Sequence, residues 1–271
     1  LFANIRPVKA YDSLLDKSPL KKKAIKNADF CIYRELTSGI YFGARSTSED
    51  GNFASDTCEY SKDEIERIAH LAFKAAQSRK NKVTLVDKAN VLETSRLWRK
   101  TVTEVASHYP NVELDYLYVD NASMQMILNP RQFDIILTDN MFGDILSDEA
   151  SVVGGSIGLI ASASIGKEHA LFEPIHGAMN DTAEKGIANP IASILSAAML
   201  LDHFELFDEA ELIRKAVNKS LDLHITTPDL NTKFDNITTD KVGDFIEDVI
   251  SNPDDSNINF TNIHLGQSTI I

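Results

Sequence analysis

Cysteine is nearly absent: the 271 residues hold two, Cys31 and Cys58, and they form no metal-type spacing. That argues against a thiolate metal centre or a disulfide framework and makes a reduced, cytoplasmic setting the expectation. No apolar run approaches the roughly 20 residues needed to span a bilayer. Basic residues are also short, 27 Lys and Arg against 40 Asp and Glu, for a net charge of -13. A chain this acidic is not built for general binding to nucleic acid or to an anionic membrane surface. An anionic small-molecule substrate would have to be drawn in by a few placed basic groups and a cation. The Gly-x-Gly-x-x-Gly fingerprint is missing, because Gly154-Gly-Ser-Ile-Gly158 has the wrong spacing. A DDxxD run is missing as well, which with the lack of an all-helical pattern argues against a prenyl-diphosphate site. The first residue is Leu1 rather than Met, as in a processed product or a fragment.

What is present is globular: 43% hydrophobic and 25% charged residues suit a real core, in one large or two ordinary domains. Strand-like runs alternate with helical ones. Strands are expected over 28–34, 82–87, 112–119 and 133–138, and again near 170–174. Ser61-Lys-Asp-Glu64 is a capping box opening a helix whose stripe is Ile65, Ile68, Ala69, Ala72 and Ala76. Further helices are expected over 93–108, through Met124 and Ile127 to Pro130, after Asp139, after Asn189-Pro190, over 208–224 and from Thr239. The polar stretch 44–60 reads as a loop or an exposed β-arm, and the tail from Asn252 as loose. This alternation predicts an α/β fold with sites at strand ends. Lys88, Asp120 and the helix after Asp139 all follow expected strands.

That helix, Asp139-Asn-Met-Phe-Gly-Asp-Ile-Leu-Ser-Asp148, carries the sharpest chemistry. Asp144 and Asp148 stand four residues apart, hence on one helical face, where like charges repel. A lone DxxxD is usually a solvated acidic face. Here Met141, Phe142, Ile145 and Leu146 flank the pair, and carboxylates near apolar surface need a partner. Mg²⁺ or Mn²⁺ would serve, since both are held by one or two carboxylates plus substrate oxygens. Arg6 and Arg34 could each grip a carboxylate in a bidentate fork. Lys88 could act as a base, Tyr41 could hand over a proton, and Asp120 could be a third metal oxygen. Taken singly, each has a plainer reading: surface ion pairs for the arginines, core packing for Tyr41, a helix cap for Asp120. Glu173-Pro-Ile-His-Gly177 and the stretch from Asp181 to Asn189 form a second polar cluster, suited to a pyrophosphate and ribose hydroxyls.

Seven ordered blocks make the chain resemble the isocitrate/isopropylmalate dehydrogenase family. They are Leu1 to Pro7, Arg34 to Gly43, Val86 to Val91, Tyr118 to Asp120, Asn140 to Asp148, Phe172 to Gly177 and Lys185 to Pro190. Arg34-Glu-Leu-Thr-Ser-Gly-Ile-Tyr-Phe-Gly43 points to the isopropylmalate branch; the alternatives are the tartrate/malate, homoisocitrate and isocitrate branches, or a non-catalytic dimerising fragment. The resemblance implies a homodimer with shared sites. Asp144 and Asp148 of one subunit and Asp120 of its partner would hold Mg²⁺ or Mn²⁺. Lys88 would be the base, Tyr41 the acid, and Arg6 and Arg34 the carboxylate clamp. Asn90 and Val91 would approach the nicotinamide or substrate. Glu173, His176, Gly177, Asp181 and Asn189 would bind NAD, with Asp181 on the ribose. The implied reaction is the NAD-dependent oxidative decarboxylation of 3-isopropylmalate to 4-methyl-2-oxopentanoate, a step in leucine biosynthesis. The implied organisation is a dimerisation and substrate–metal domain over 2–154, with its arm near 44–60, and the C-terminal part of a cofactor domain over 155–251. Family members carry roughly a hundred residues ahead of the equivalent of Leu1, about one small domain, so the cofactor domain is expected to lack its opening strands.

Overall fold

The computed structural model describes residues 1–178, 180–230 and 237–253, with Thr182 described in its backbone alone. One seven-stranded sheet organises it. The strands are β1 Ala3–Lys9, β2 Asp29–Glu35, β5 Lys82–Asp87, β6 Glu113–Tyr118, β7 Ile135–Thr138, β8 Ala161–Ile165 and β9 Ala170–Pro174. Their order is β6-β5-β7-β2-β1-β8-β9. The first four in that order run parallel, whereas β1 is antiparallel to both β2 and β8, and β9 is antiparallel to β8. The exposed pair β3 Arg45–Thr47 and β4 Ala54–Asp56 forms a separate ribbon, the arm expected over 44–60.

Side-chain alternation sends successive strand residues to opposite faces. Cys31, Tyr33, Val83, Leu85, Ile135 and Leu137 pack under α2 Lys62–Gln77 and α3 Glu93–Ala106. Phe30, Ile32, Val86 and Ile136 pack on the other face, against α1 Lys22–Ile25, α4 Val119–Leu128 and α5 Asn140–Gly154. A third core joins α6 Ile191–His203, α7 Phe207–Asp222 and α8 Thr239–Ser251 to Leu14 and Leu159. Strands buried on both faces explain why β2, β5 and β7 read as near-continuous apolar runs. The predicted capping box is present in full: Ser61 accepts from the Glu64 N–H, and the Glu64 side chain accepts from the Ser61 N–H.

Two differences from the sequence expectations stand out, at β1 and at the start of α6. β1 has no counterpart among the expected elements, because Arg6-Pro7 interrupts its pattern. It is nonetheless central, pairing with β2 along its whole length. The sheet is continuous across Gly155, since β8 and β9 extend it through the β1–β8 ladder. Helix α6 starts at Ile191 with Pro190 at its cap position; Asn189 caps from one residue further out, its Oδ1 accepting the Ile191 N–H at 3.0 Å. Gly155, at φ 90°, ends α5 in a left-handed turn that glycine adopts without strain. Residues 254–271 of the expected polar tail lie outside the described residues. Within the described residues no helix is long and apolar enough to cross a membrane.

Candidate active site

The parallel strands β6, β5, β7 and β2 bring their carboxyl ends to one edge, which is where α/β sheets place their sites. The register sets Arg34 opposite Thr138, Thr138 opposite Val86, and Asp87 opposite Tyr118. The segments that leave these strands therefore start side by side. They carry Lys88, Asp120, Asp144 and Tyr41.

Helix α5 is docked tightly. The Asp139 carboxylate accepts the Phe142 N–H at 2.9 Å, capping its first turn. At Gly143 the helix lies against Arg34: a Cβ there would sit 2.6 Å from Arg34 Cγ and 2.8 Å from its Cβ. This closeness lets the Arg34 guanidinium donate to Asn140 Oδ1 from Nε (3.0 Å) and Nη2 (2.8 Å) while Nη1 pairs with Asp144. Tyr41 donates its hydroxyl to the other Asp144 oxygen at 2.9 Å. That bond to the carboxylate, then burial, pushes the Tyr41 phenol up from its ordinary value and keeps its proton in place.

Arg6 reaches the same helix from β1. It donates to Ser147 Oγ and lies 3.9 Å from both Asp144 and Asp148. Its own orientation comes from the sheet. Arg6 Nε donates to Asn4 Oδ1 at 2.6 Å, and the Asn4 amide donates to Ser162 (2.8 Å) and Ser164 (3.0 Å) of β8. Burial, then the neighbouring Arg34, lowers the Arg6 pKa, offset in part by the two aspartates. Asn4, Asn140 and Ser147 carry no charge and are not among the residues that the sequence singles out. The signals that point to them are the period of two between Asn4 and Arg6 and the spacings of four and three that Asn140 and Ser147 keep from Asp144.

Lys88 and Asp120 form a second group, joined at 2.8 Å. The bond from Lys88 holds the Asp120 carboxyl below the ordinary range. The Lys88 backbone N–H donates to Ser95 Oγ at 3.0 Å, and the Val91 and Leu92 N–H groups donate to the Lys88 carbonyl at 2.9 Å. Asn90 and Val91 thus lie on an exposed turn. No hydrogen bond or ion pair joins the Lys88–Asp120 pair to Asp144 or Asp148 within one copy of the chain. Among the described residues no three His, Cys, Asp or Glu side chains group where they could hold a metal ion. One protomer offers two carboxylates at i and i+4, oxygen donors of the type a hard divalent cation takes, so the donors fit as part of a set.

The expected cofactor residues lie on β9 and along the segment after it. Glu173 is exposed on that edge strand, and Gly177 has open space where a side chain would be. His176 Nδ1 lies 3.1 Å from the Gly177 carbonyl, and the Asp181 carbonyl accepts from Lys185 at 2.6 Å. Asn189 commits its amide to Asp229 at 3.0 Å and its carbonyl to the α6 cap. These residues share a segment, but no hydrogen bond joins Glu173, His176, Asp181 and Asn189 to one another. Met179 and the Thr182 side chain, within the expected cofactor loop, lie outside the described residues.

A mixed α/β sheet with an arginine-clamped carboxylate helix at its edge defines a class, and comparison with known proteins identifies it. The family model of isocitrate/isopropylmalate dehydrogenase matches residues 1–246. This chain belongs to that family. Within it, the chain stands with the 3-isopropylmalate dehydrogenases. It is 53% identical to the one from Wolinella succinogenes over 249 residues, 91% of this chain and 69% of that protein. It is 55% identical to the one from Bacillus subtilis over 236 residues, 85% of this chain and 65% of that protein. The chain thus spans about two thirds of the length of these relatives. Among solved structures, isocitrate dehydrogenase from Methylococcus capsulatus matches with a TM-score of 0.83 at 38% identity, covering 92% of this chain and 73% of that one. A beta-decarboxylating dehydrogenase from Thermococcus kodakarensis matches at 0.78 and 37%, covering 93% and 69%.

Proposed function

We propose that this chain carries the substrate and metal machinery of an NAD-dependent 3-isopropylmalate dehydrogenase, which oxidises and decarboxylates 3-isopropylmalate to 4-methyl-2-oxopentanoate in leucine biosynthesis. The observation that carries this reading is the convergence of Arg6, Arg34 and Tyr41 on the Asp144–Asp148 helix. Two guanidinium groups beside two carboxylates suit a dianionic 2-hydroxy acid and a divalent cation together. Residues 2–154 serve as the dimerisation and substrate–metal domain, and residues 155–251 as the C-terminal part of the cofactor domain.

Asp144 and Asp148, with Asp120 from a second copy, would hold Mg²⁺ or Mn²⁺, which would supply Lewis-acid polarisation and positive charge beside the substrate oxygens. Glu173, His176, Gly177, Asp181 and Asn189 would hold NAD, which would supply the hydride acceptor. Arg6 and Arg34 orient the carboxylate that departs. Lys88 takes the hydroxyl proton. Tyr41, still protonated because of its bond to Asp144, delivers a proton to the carbon left behind. An acidic Asp181 at the ribose favours NAD over NADP. The dimer is supported by an exposed apolar face: Met124, Ile127 and Leu128 on α4, and Ile145 and Val152 on α5.

The test is initial NADH formation with 3-isopropylmalate, malate, tartrate and homoisocitrate at fixed Mn²⁺. Preference for 3-isopropylmalate is expected, with Asp144→Asn lowering turnover by at least about a hundredfold, the scale for losing a charge-stabilising group. Preference for another substrate would overturn the branch, and an unimpaired Asp144→Asn would remove Asp144 from the site.

A further inference from the structure

We propose that Tyr118, clamped by Arg99, is a positioning residue for the Lys88 ammonium. The importance of Lys88 rests on the functional reading above; the geometry does not. Asp87, the residue before Lys88, is buried and takes two bonds from Arg99, Nε to Oδ2 and Nη2 to Oδ1, each 2.8 Å. Asp87 Oδ1 also accepts the Ala89 N–H at 3.0 Å, so the same carboxylate ties down the turn that presents Lys88. Breaking a buried charge pair of this kind is costly, so Arg99 is a fixed cation. Its guanidinium carbon lies 5.3 Å from the Tyr118 ring centre and 5.0 Å from that of Tyr116. Tyr116 is itself anchored by a 2.6 Å bond to Thr103.

Lys88 Nζ lies 5.7 Å from the same Tyr118 ring. The β5–β6 register sets this up, since Asp87 and Tyr118 are directly paired across parallel strands. The other contact of the ammonium is Asp120, at 2.8 Å. If Asp120 turns to a divalent cation, Lys88 loses that partner while its long stem stays free to swing. The ring face, held in place from Arg99, is what remains to keep the ammonium over the site. Such a contact at a partly exposed position is worth a factor of about two to five in population.

The test uses reductive ¹³C-methylation, with Lys88→Arg identifying the Lys88 signal and NMR reading the ring-current shift that Tyr118 imposes on it. Tyr118→Leu should abolish the upfield shift, Tyr118→Phe should retain it, and Arg99→Lys, which keeps charge but loses the fork, should diminish it. In turnover assays Tyr118→Leu should lower kcat about two- to fivefold with KM for NAD unchanged, and Tyr118→Phe should restore it. A Lys88 signal unmoved by Tyr118→Leu would overturn the proposal. Absent turnover with the predicted shifts intact would count against the dehydrogenase reading and leave the positioning contact standing.

Discussion

Asp139 differs from the other buried carboxylates on the sheet. Glu35 pairs with Arg67 at 3.1 Å, Asp87 with Arg99 at 2.8 Å and Asp134 with Arg79 at 2.8 Å. Asp139 has the Phe142 N–H and no cationic partner, because nearby Arg34 is committed to Asn140 and Asp144. Burial pushes its pKa up to about 7; the Phe142 bond pulls it down, and Glu35 and Asp87 push it further up. In the unfolded chain the group titrates near 3.9. The folded state therefore binds the extra proton between about pH 4 and 7, so this group's contribution to stability falls as pH rises through that window and levels off above it. Three pKa units correspond to about 4 kcal/mol at most. Asp139→Asn keeps a good cap acceptor and removes the charge. It should be more stable than the parent at pH 8, with the gap narrowing towards pH 5, as read by urea unfolding at several pH values. Parallel stability curves for the two proteins would refute this account of the cap.

At the scale of the element, α5 depends on Gly143 for its approach to β2. The atoms a methyl group would meet are the first two carbons of the Arg34 side chain, and Thr138 Cγ2 lies 3.1 Å away. These are not flexible ends. Gly143→Ala gains about 1 kcal/mol of helix propensity, but overpacking of this kind costs about 1–3 kcal/mol. The expected sum is a modest loss of stability and a displaced Arg34, seen as weaker Mn²⁺-dependent turnover with a higher KM for the hydroxy acid; a more stable and fully active variant would show that the helix can shift without harm. The carboxylate pair on this helix was legible in sequence because period and charge are local. So were α2, whose capping box and apolar stripe lie in one short window, and the polar β3–β4 arm. β1 was not legible: its burial is mixed, and its pairing with β2 and β8 comes from residues far along the chain. The Ser162/Ser164–Asn4–Arg6–Ser147 relay was hidden for the same reason, since its links span up to 160 positions. Arg34, Tyr41 and Asp144 meet as the motifs suggested, whereas Asn140 takes more of the Arg34 fork than a reading of charges alone would give it.

For the molecule as a whole, the site within one copy is divided. Lys88 and Asp120 pair with each other, and the arginines and Tyr41 pair with α5. The two helices beside these groups, α4 and α5, touch through the Ser123–Glu149 bond at 3.0 Å and expose a shared apolar face. Leu128 is 60% exposed and Ile145 58%. On α4, Met124 and Leu128 are one turn apart; on α5, Ile145 and Val152 are two turns apart, so both form stripes rather than scattered points. A contiguous apolar stripe on a chain with net charge -13 is the kind of surface a symmetric partner covers. A two-fold contact there would set α4 and α5 of one copy against α4 and α5 of the other and bring the Asp120 helix towards the opposite Asp144. Leu128→Asp places a charge on that face and should convert the proposed dimer to monomer in sedimentation velocity at micromolar concentration, with Mn²⁺-dependent turnover lost in parallel. Phe204→Asp, at a 64% exposed site on the end of α6, supplies the comparison. If that change rather than Leu128→Asp dissociates the dimer, the copies meet through the α6 end, and Asp120 cannot complete the carboxylate set across the α4–α5 face.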